Sequence, residues 1–439
     1  MTAEIAVMNK LAVALATDSA VTIRQGDSPT RIYNSANKLF TLSKYNPVGV
    51  MVYGAVEFMK VPWETVIKVY RENLGNRSFA TLEEHADDLI RFLDRPNIFV
   101  PVGVQEETIG AVARGLFVMI ARRATEKDAQ NHLDKHGAIV NDLAFADIVQ
   151  KCIHKQLKEL QGIKRLPHLP RRYCQTLLRK YHKVIEKETK EIFGSVNLGR
   201  GPLRDLERIV GEFCSRDSFP RHSGIVVAGF GRDDIFPALV SFKIEFHVAG
   251  RLKYKRDTDH KAAHGGAAAI IPFAQDEMVH TFMQGASPDY VRFQEQVWKK
   301  GLSSYAEKVL SLLAKQTGTK SESAKKVLGT EYQSWIKFAR DEMSDWRLKH
   351  SAYPIIDTVA ELPKDELAAM AEALVNLTSF KRKVTRGEEQ TVGGPTDVAV
   401  ISKGDGFIWI KRKHYFELEC NPHFCARYFK ESYHEKEKQ

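Results

Sequence analysis

What most constrains this chain is that strand-like and helix-like sequence come in separate long blocks. Residues 4–9 (EIAVMN) and 11–23 (LAVALATDSAVTI) are short runs of Ala, Val, Ile and Leu split by the polar pair Asn9-Lys10. That is the pattern of a hairpin buried on at least one face. RQGDSPT at 24–30 reads as a turn, and NKLFTLSK and VGVMVYGA follow as a second strand pair around a turn at 45–47. From about 58 to 215 the apolar residues fall at helical spacing, as in VPWETVIKVYREN and RRYCQTLLRKYHKVIEKETKEIF, with a basic loop at 161–172 between two of the helices. Strand character returns at 223–248, with Gly231, Arg232, Asp233 and Asp234 as the turn between two strands, and again in AAAIIPF at 267–273. Helices dominate 275–378. Strands close the chain in TDVAVISKGDGFIWIKRKHYFELE, where Lys403, Gly404, Asp405 and Gly406 form the hairpin turn. Such segregation predicts an α+β layered fold with antiparallel sheets rather than a doubly wound parallel one. The blocks divide at 1–60, 61–222, 223–290, 291–362 and 363–439.

Composition narrows the function classes. The chain has 439 residues, 43% hydrophobic and 27% charged, which places it among globular proteins with a sizeable core and excludes global disorder. The net charge of +10 is spread along the sequence, and no dense basic block carries interleaved aromatics. This argues for a solvated basic surface and against nucleic acid as partner. The five cysteines are widely spaced and odd in number, so no disulfide framework is expected and the compartment reads as reducing. Cys420, His423, Cys425 and His434 do not match a common zinc spacing. No basic-plus-apolar leader and no apolar run of membrane-spanning length is visible, so the expectation is a soluble cytoplasmic protein without a membrane partner. P-loop, GxGxxG, HExxH and nucleophile-elbow patterns are absent, and the histidines are scattered.

The residues that suggest chemistry sit at the N-terminal end. Thr2 follows Met1 and precedes the small residue Ala3, so removal of Met1 leaves a free threonine. An α-amine has a pKa near about 8 and can act as base for its own residue's hydroxyl, so nucleophile and base come from one residue. Asp18 ends the apolar run LAVALAT, and Lys38 opens the run KLF. An ammonium at Lys38 would lower the pKa of the threonine hydroxyl, and Asp18 would hold that ammonium charged and oriented.

These segments resemble a known family. TAEIAVMNKLAVALATDSAVTI looks like the start of proteasome β-subunits and of the bacterial peptidase HslV, N-terminal-nucleophile (Ntn) hydrolases in which a strand begins with the mature Thr and a second ends in Ala-Thr-Asp or Ala-Thr-Glu. NKLF resembles the segment that carries the family's lysine, here Lys38. GVMVYGAVE resembles its Gly-x-x-x-x-Gly strand, whose last glycine gives an oxyanion N–H and aligns with Gly54. SGIVVAGFGRDDIFPALVSFKI and TVGGPTDVAVISKGDGFIWI are similar to its central strands and closing segment. The resemblance covers roughly 1–60, 223–290 and 363–412. It implies a four-layer α-β-β-α Ntn-hydrolase sandwich with large helical insertions at about 75–215 and 290–360. It further implies a threonine peptidase acting through a Thr2 acyl-enzyme on a peptide or unfolded protein, needing no metal or organic cofactor. A homo-oligomeric ring and an ATPase unfoldase partner go with that family.

Departures from the family pattern are specific. The loop between Asp18 and Lys38 is longer. The family's Asp and Ser near the closing glycines align with Glu389, which could still orient the threonine amine, and with Val392, whose side chain cannot hydrogen-bond. Gln275 is the weak match for the family's helix-leading serine. Two other readings stay open: an Ntn amidohydrolase acting on a small amide, and a non-catalytic scaffold that keeps the fold.

Overall fold

The computed structural model describes residues 3–23, 31–95, 99–129, 141–262, 268–317, 322–385, 392–417, 419–423 and 426. The chain forms two compact units, one built from 1–39, 235–237 and 261–439, the other from 40–234 and 238–260. Mixed helices and antiparallel sheets make up both, in keeping with an α+β class.

The first unit starts with β1 (Ala3–Met8) and β2 (Ala12–Thr17), an antiparallel hairpin whose strand residues are all buried. Its turn is held by Asn9: the side-chain oxygen accepts from Leu11 N–H, and the amide donates to the carbonyls of Val359 and Leu362. A short ribbon of β3 (Val21–Ile23) and β4 (Arg31–Tyr33) follows. The turn expected at 24–30 lies outside the described residues.

The chain passes into the second unit along β5 (Leu39–Thr41), which neighbours β6 (Val48–Gly54). The sequence predicts helix from about residue 58, but β7 (Glu57–Phe58) and β8 (Val61–Pro62) come first, turning through Met59 and Lys60 at positive φ. The helices are α1 (Trp63–Leu74), α2 (Leu82–Asp94), α3 (Val102–Arg122, continued by a π-helical segment Arg123–Ala129), α4 (Asp142–Gly162), α5 (Tyr173–Phe193) and α6 (Arg200–Ser215). Their apolar faces merge with one face of the sheet in a single core around Tyr70, Phe117, Tyr181 and Phe242. β9 (Ser223–Gly229) and β10 (Ala238–Val248) flank the anticipated turn at 231–234. β11 (Arg251–Lys261) is a strand the hydrophobic pattern does not announce: it is the edge of the sheet β11-β10-β9-β6-β5, and most of its side chains are polar and open to solvent.

Back in the first unit, β12 (Ala269–Ala274) pairs antiparallel with β1. Five helices follow: α7 (Glu277–Gln284), α8 (Pro288–Thr317), α9 (Glu322–Arg347, then a π-helical segment Leu348–Ala352), α10 (Tyr353–Glu361) and α11 (Lys364–Val384). The strands β13 (Asp397–Ser402) and β14 (Gly406–Lys411) complete the sheet β12-β1-β2-β13-β14, and the pairings β12–β1, β1–β2, β2–β13 and β13–β14 are all antiparallel. One sheet face, with Ile5, Val7, Ala14, Ala16, Val398 and Val400, packs on Leu367, Ala371, Leu374 and Val375 of α11. Alanine at alternate strand positions lets that helix lie close to the backbone of the sheet. No helix among the described residues is long and apolar enough to cross a membrane.

Candidate active site

Asp18 is the first residue beyond β2, and the strand register sets its place. Glu4 faces Thr17 across the hairpin, so Asp18 comes opposite Ala3, the start of β1. Asp18 N–H donates to Ala3 C=O at 3.1 Å, and Ala3 N–H donates to Asp18 Oδ1 at 3.2 Å. The same Oδ1 accepts from Lys38 Nζ at 2.6 Å. Oδ2 accepts from the backbone N–H of Gly393 at 3.0 Å and of Ala20 at 3.3 Å. Four donors match the four lone-pair sites of a carboxylate, so the side chain is fully engaged and held in one orientation. Asp18 is 1% exposed and Lys38 is 3% exposed. Charges so deeply placed persist only when paired and hydrogen-bonded, as these are.

The segment that reaches Asp18 from the far end of the chain is fixed by small residues. Ser19 N–H donates to Gly393 C=O, and Ser19 Oγ donates to Pro395 C=O. Gly394 has φ +78°, and a Cβ there would sit 2.7 Å from Asn34 Cβ. Both its conformation and its crowding therefore call for glycine. Lys38 is brought in by the stretch before β5, tied by Ala36 N–H to Ser19 C=O. Three distant stretches thus meet at one carboxylate: the start of β1, the lead-in to β5 and the loop before β13.

Of the residues singled out from the sequence, Asp18 and Lys38 are joined directly. Thr2 and Glu389 lie outside the described residues. Ala3, whose amide nitrogen bonds Asp18, is the residue that follows Thr2. Gly54 belongs to the second unit. It ends β6 with φ +79°, it is exposed, and a Cβ on it would lie 2.4 Å from His222 C=O, so only glycine fits there. Val392 is a core residue of the first unit. Gln275 is buried after β12, and its Oε1 accepts from Arg382 Nε at 2.6 Å, which ties strand to helix α11.

Sequence reasoning passed over Ser19 and the backbone of Gly393, which complete the setting of Asp18; the run Ala-Thr-Asp-Ser was the available signal. It also passed over a second ion pair, buried Asp397 with part-buried Lys413, at the head of β13. Asp397 stands in register with Thr17, which stands in register with Glu4, so three buried polar side chains line one row of the sheet. Among the described residues no cluster of three or more His, Cys, Asp or Glu side chains is arranged to hold a metal. Cys420 is exposed, with its thiol 3.6 Å from Glu417 Oε2, while Cys425 and His434 lie outside the described residues.

No protein-family model matches the chain, and a search of curated proteins finds no match.

Proposed function

We propose that the protein is an N-terminal-nucleophile hydrolase of the proteasome β-subunit type, a threonine peptidase of the four-layer α-β-β-α class. The observation that carries this reading is the buried ion pair of Lys38 with Asp18, bonded through the same carboxylate oxygen to the amide of Ala3, next in sequence to Thr2.

In this reading the mature chain starts at Thr2. Its α-amine takes the hydroxyl proton as Oγ attacks the substrate carbonyl, and the Lys38 ammonium stabilises the negative charge that develops on Oγ and the carbonyl oxygen. The family resemblance assigns a backbone N–H donor for that oxygen to Gly54. Collapse expels the substrate amine, which takes the proton back from the α-ammonium and leaves an ester on Thr2. Water, deprotonated by the same amine, attacks the ester and frees the acid. Asp18 touches no reacting atom; it orients Lys38 and fixes the start of β1. The substrate class that follows from the family resemblance is a peptide or unfolded polypeptide.

The test is twofold. Intact-protein mass spectrometry should find residue 2 as the first residue. A fluorogenic peptide panel should show turnover that is lost in Thr2→Ala. A mature chain that retains residue 1, or Thr2→Ala at wild-type rate, ends the proposal.

A further inference from the structure

Helices α8 and α9 form an antiparallel hairpin within the first unit. Trp298 and Trp335 meet edge to face with ring centroids 5.9 Å apart, and nearer the base Gln294 Nε2 lies 3.4 Å from Met343 Sδ. These two contacts fix which residues stand side by side, and Ile336 is buried in the seam. At 3.6 residues per turn, positions 290, 293, 297, 301, 304, 308 and 315 then lie along one flank of α8. Positions 327, 331, 335, 338, 342 and 345 lie along one flank of α9. Because the helices run in opposite directions, both flanks open to the same side of the hairpin.

That side is strongly apolar for a surface. Phe293 and Phe338 are each 61% exposed and Trp346 60%, with Tyr290, Val297 and Trp335 beside them. A contiguous aromatic face of this kind marks an interaction surface. Its charges are divided along its length. Glu342 and Asp345 sit at the base among the aromatics, Glu331 sits near mid-length, and Lys308 and Lys315 sit toward the tip, all exposed. The basal acidic pair and the distal basic pair are centred about equally far on either side of position 301 on α8. A two-fold axis at that level lays the acidic base of one hairpin on the basic tip of another, and the aromatics of each against Leu312 and Val327, which are themselves exposed. A helix of 30 residues is about 45 Å long. Two helices side by side offer about 900 Å², close to the roughly 800 Å² per partner of a stable interface.

We infer that this face binds a second copy of the same chain, forming an antiparallel four-helix bundle from two α8–α9 hairpins. The inference does not depend on the hydrolase reading, and Thr2→Ala should leave the assembly unchanged.

Light scattering on the full chain tests it. The wild type should have a mass that is an even multiple of the chain. The double variant Phe293→Asp/Phe338→Asp should halve that mass with an unchanged far-UV circular dichroism spectrum. The variants Lys308→Glu/Lys315→Glu and Glu342→Lys/Asp345→Lys should each also run at half mass, because like charges then face each other. Mixed together they should regain the full mass, since each supplies what the other lacks. A monomeric or odd-numbered wild type overturns the inference, as does a double phenylalanine variant at full mass or a mixture that stays at half mass. A monomer that binds reduced, carboxymethylated α-lactalbumin through Phe293 and Phe338 would assign the face to unfolded polypeptide instead.

Discussion

Each unit buries a lysine against a carboxylate, and the two lysines are equipped differently. In the second unit Lys253 is fully buried; its ammonium donates to Phe213 C=O at 3.0 Å and Ser218 C=O at 2.7 Å and is ion-paired with Glu245 Oε2 at 2.7 Å. The Phe213 ring centroid lies 4.0 Å from it. Burial pushes the Glu245 carboxyl up, against the opposing pull of Lys253. Two carbonyls, a carboxylate and an aromatic ring enclose the ammonium, so it is closed off from any other molecule. In the first unit Lys38 has Asp18 as its one hydrogen-bond partner among the described residues, at the start of β1. A buried charge so enclosed holds a fold together; the proposed hydrolase would use the other for chemistry.

The largest effect should come from separating these roles. Thr2→Ala and Lys38→Ala should each lower kcat/KM for a fluorogenic peptide by about 1,000-fold or more, the scale of losing a nucleophile or a charge-stabilising donor. Lys253→Met should leave the rate per folded molecule near wild type. A Lys253 variant that folds but is as inactive as Lys38→Ala would erase the distinction. Next in size is stability. Lys253→Ala leaves Glu245 and two backbone carbonyls buried without their partner and should cost about 3–5 kcal/mol in urea unfolding. A loss well under 1 kcal/mol would mean that the cage contributes little.

The contrast between the units also marks what the sequence could disclose. β1, β2, β6, β9 and β13 were legible because each is a run of small and branched apolar residues with no other stable use. Asp18 and Lys38 were legible as charges at the ends of such runs, where solvation was the simpler expectation; the structure buries both. The strand β11 was not legible, because an edge strand open to water carries no hydrophobic signature, and RLKYKRDTDHK reads as loop. The two-unit division was hidden for another reason. The first unit is closed by segments more than 200 residues apart, so β1 pairs with β12 and β2 with β13, and contiguous blocks of sequence do not announce such pairings. The exposed flank of α8 and α9 was overlooked because its aromatics are interleaved with charges and meet only once the two helices are laid side by side.

Acid should separate the units further. His85, His168, His247 and His260, all in the second unit, have pKa values lowered chiefly by burial, His85 to about 4. A histidine titrates near 6.5 when unfolded, so between pH 6.5 and 4 the unfolded chain binds the extra proton. The His85 contribution is therefore fully present above pH 6.5 and lost as pH falls through 4, by about 2 kcal/mol at pH 5. Hydrogen exchange at pH 7.5 and 5, corrected for intrinsic rates, should show α2 and β10 losing protection while β1, β2 and β13 keep theirs. Equal loss in both sheets would show that histidine burial does not distinguish the units.

The smallest effect tests whether the second unit can be weakened without touching a buried charge. Thr81 caps α2, its Oγ1 accepting from Glu84 N–H at 3.3 Å, while the neighbouring Leu82 N–H is held by Asp234 Oδ2 at 2.7 Å. Thr81→Ala removes the first bond and leaves the second, so the cost should be about 1 kcal/mol in urea unfolding. Asp234 also accepts from Gly231 N–H at 2.9 Å, so the same carboxylate fixes both the helix start and the β9–β10 turn. Asp234→Ala should therefore cost more than Thr81→Ala, and both should leave peptide turnover unchanged. If Thr81→Ala depressed turnover at a concentration where the protein is fully folded, the cap of α2 would bear on the reaction as well as on stability, and the division of labour between Lys253 and Lys38 would fail with it.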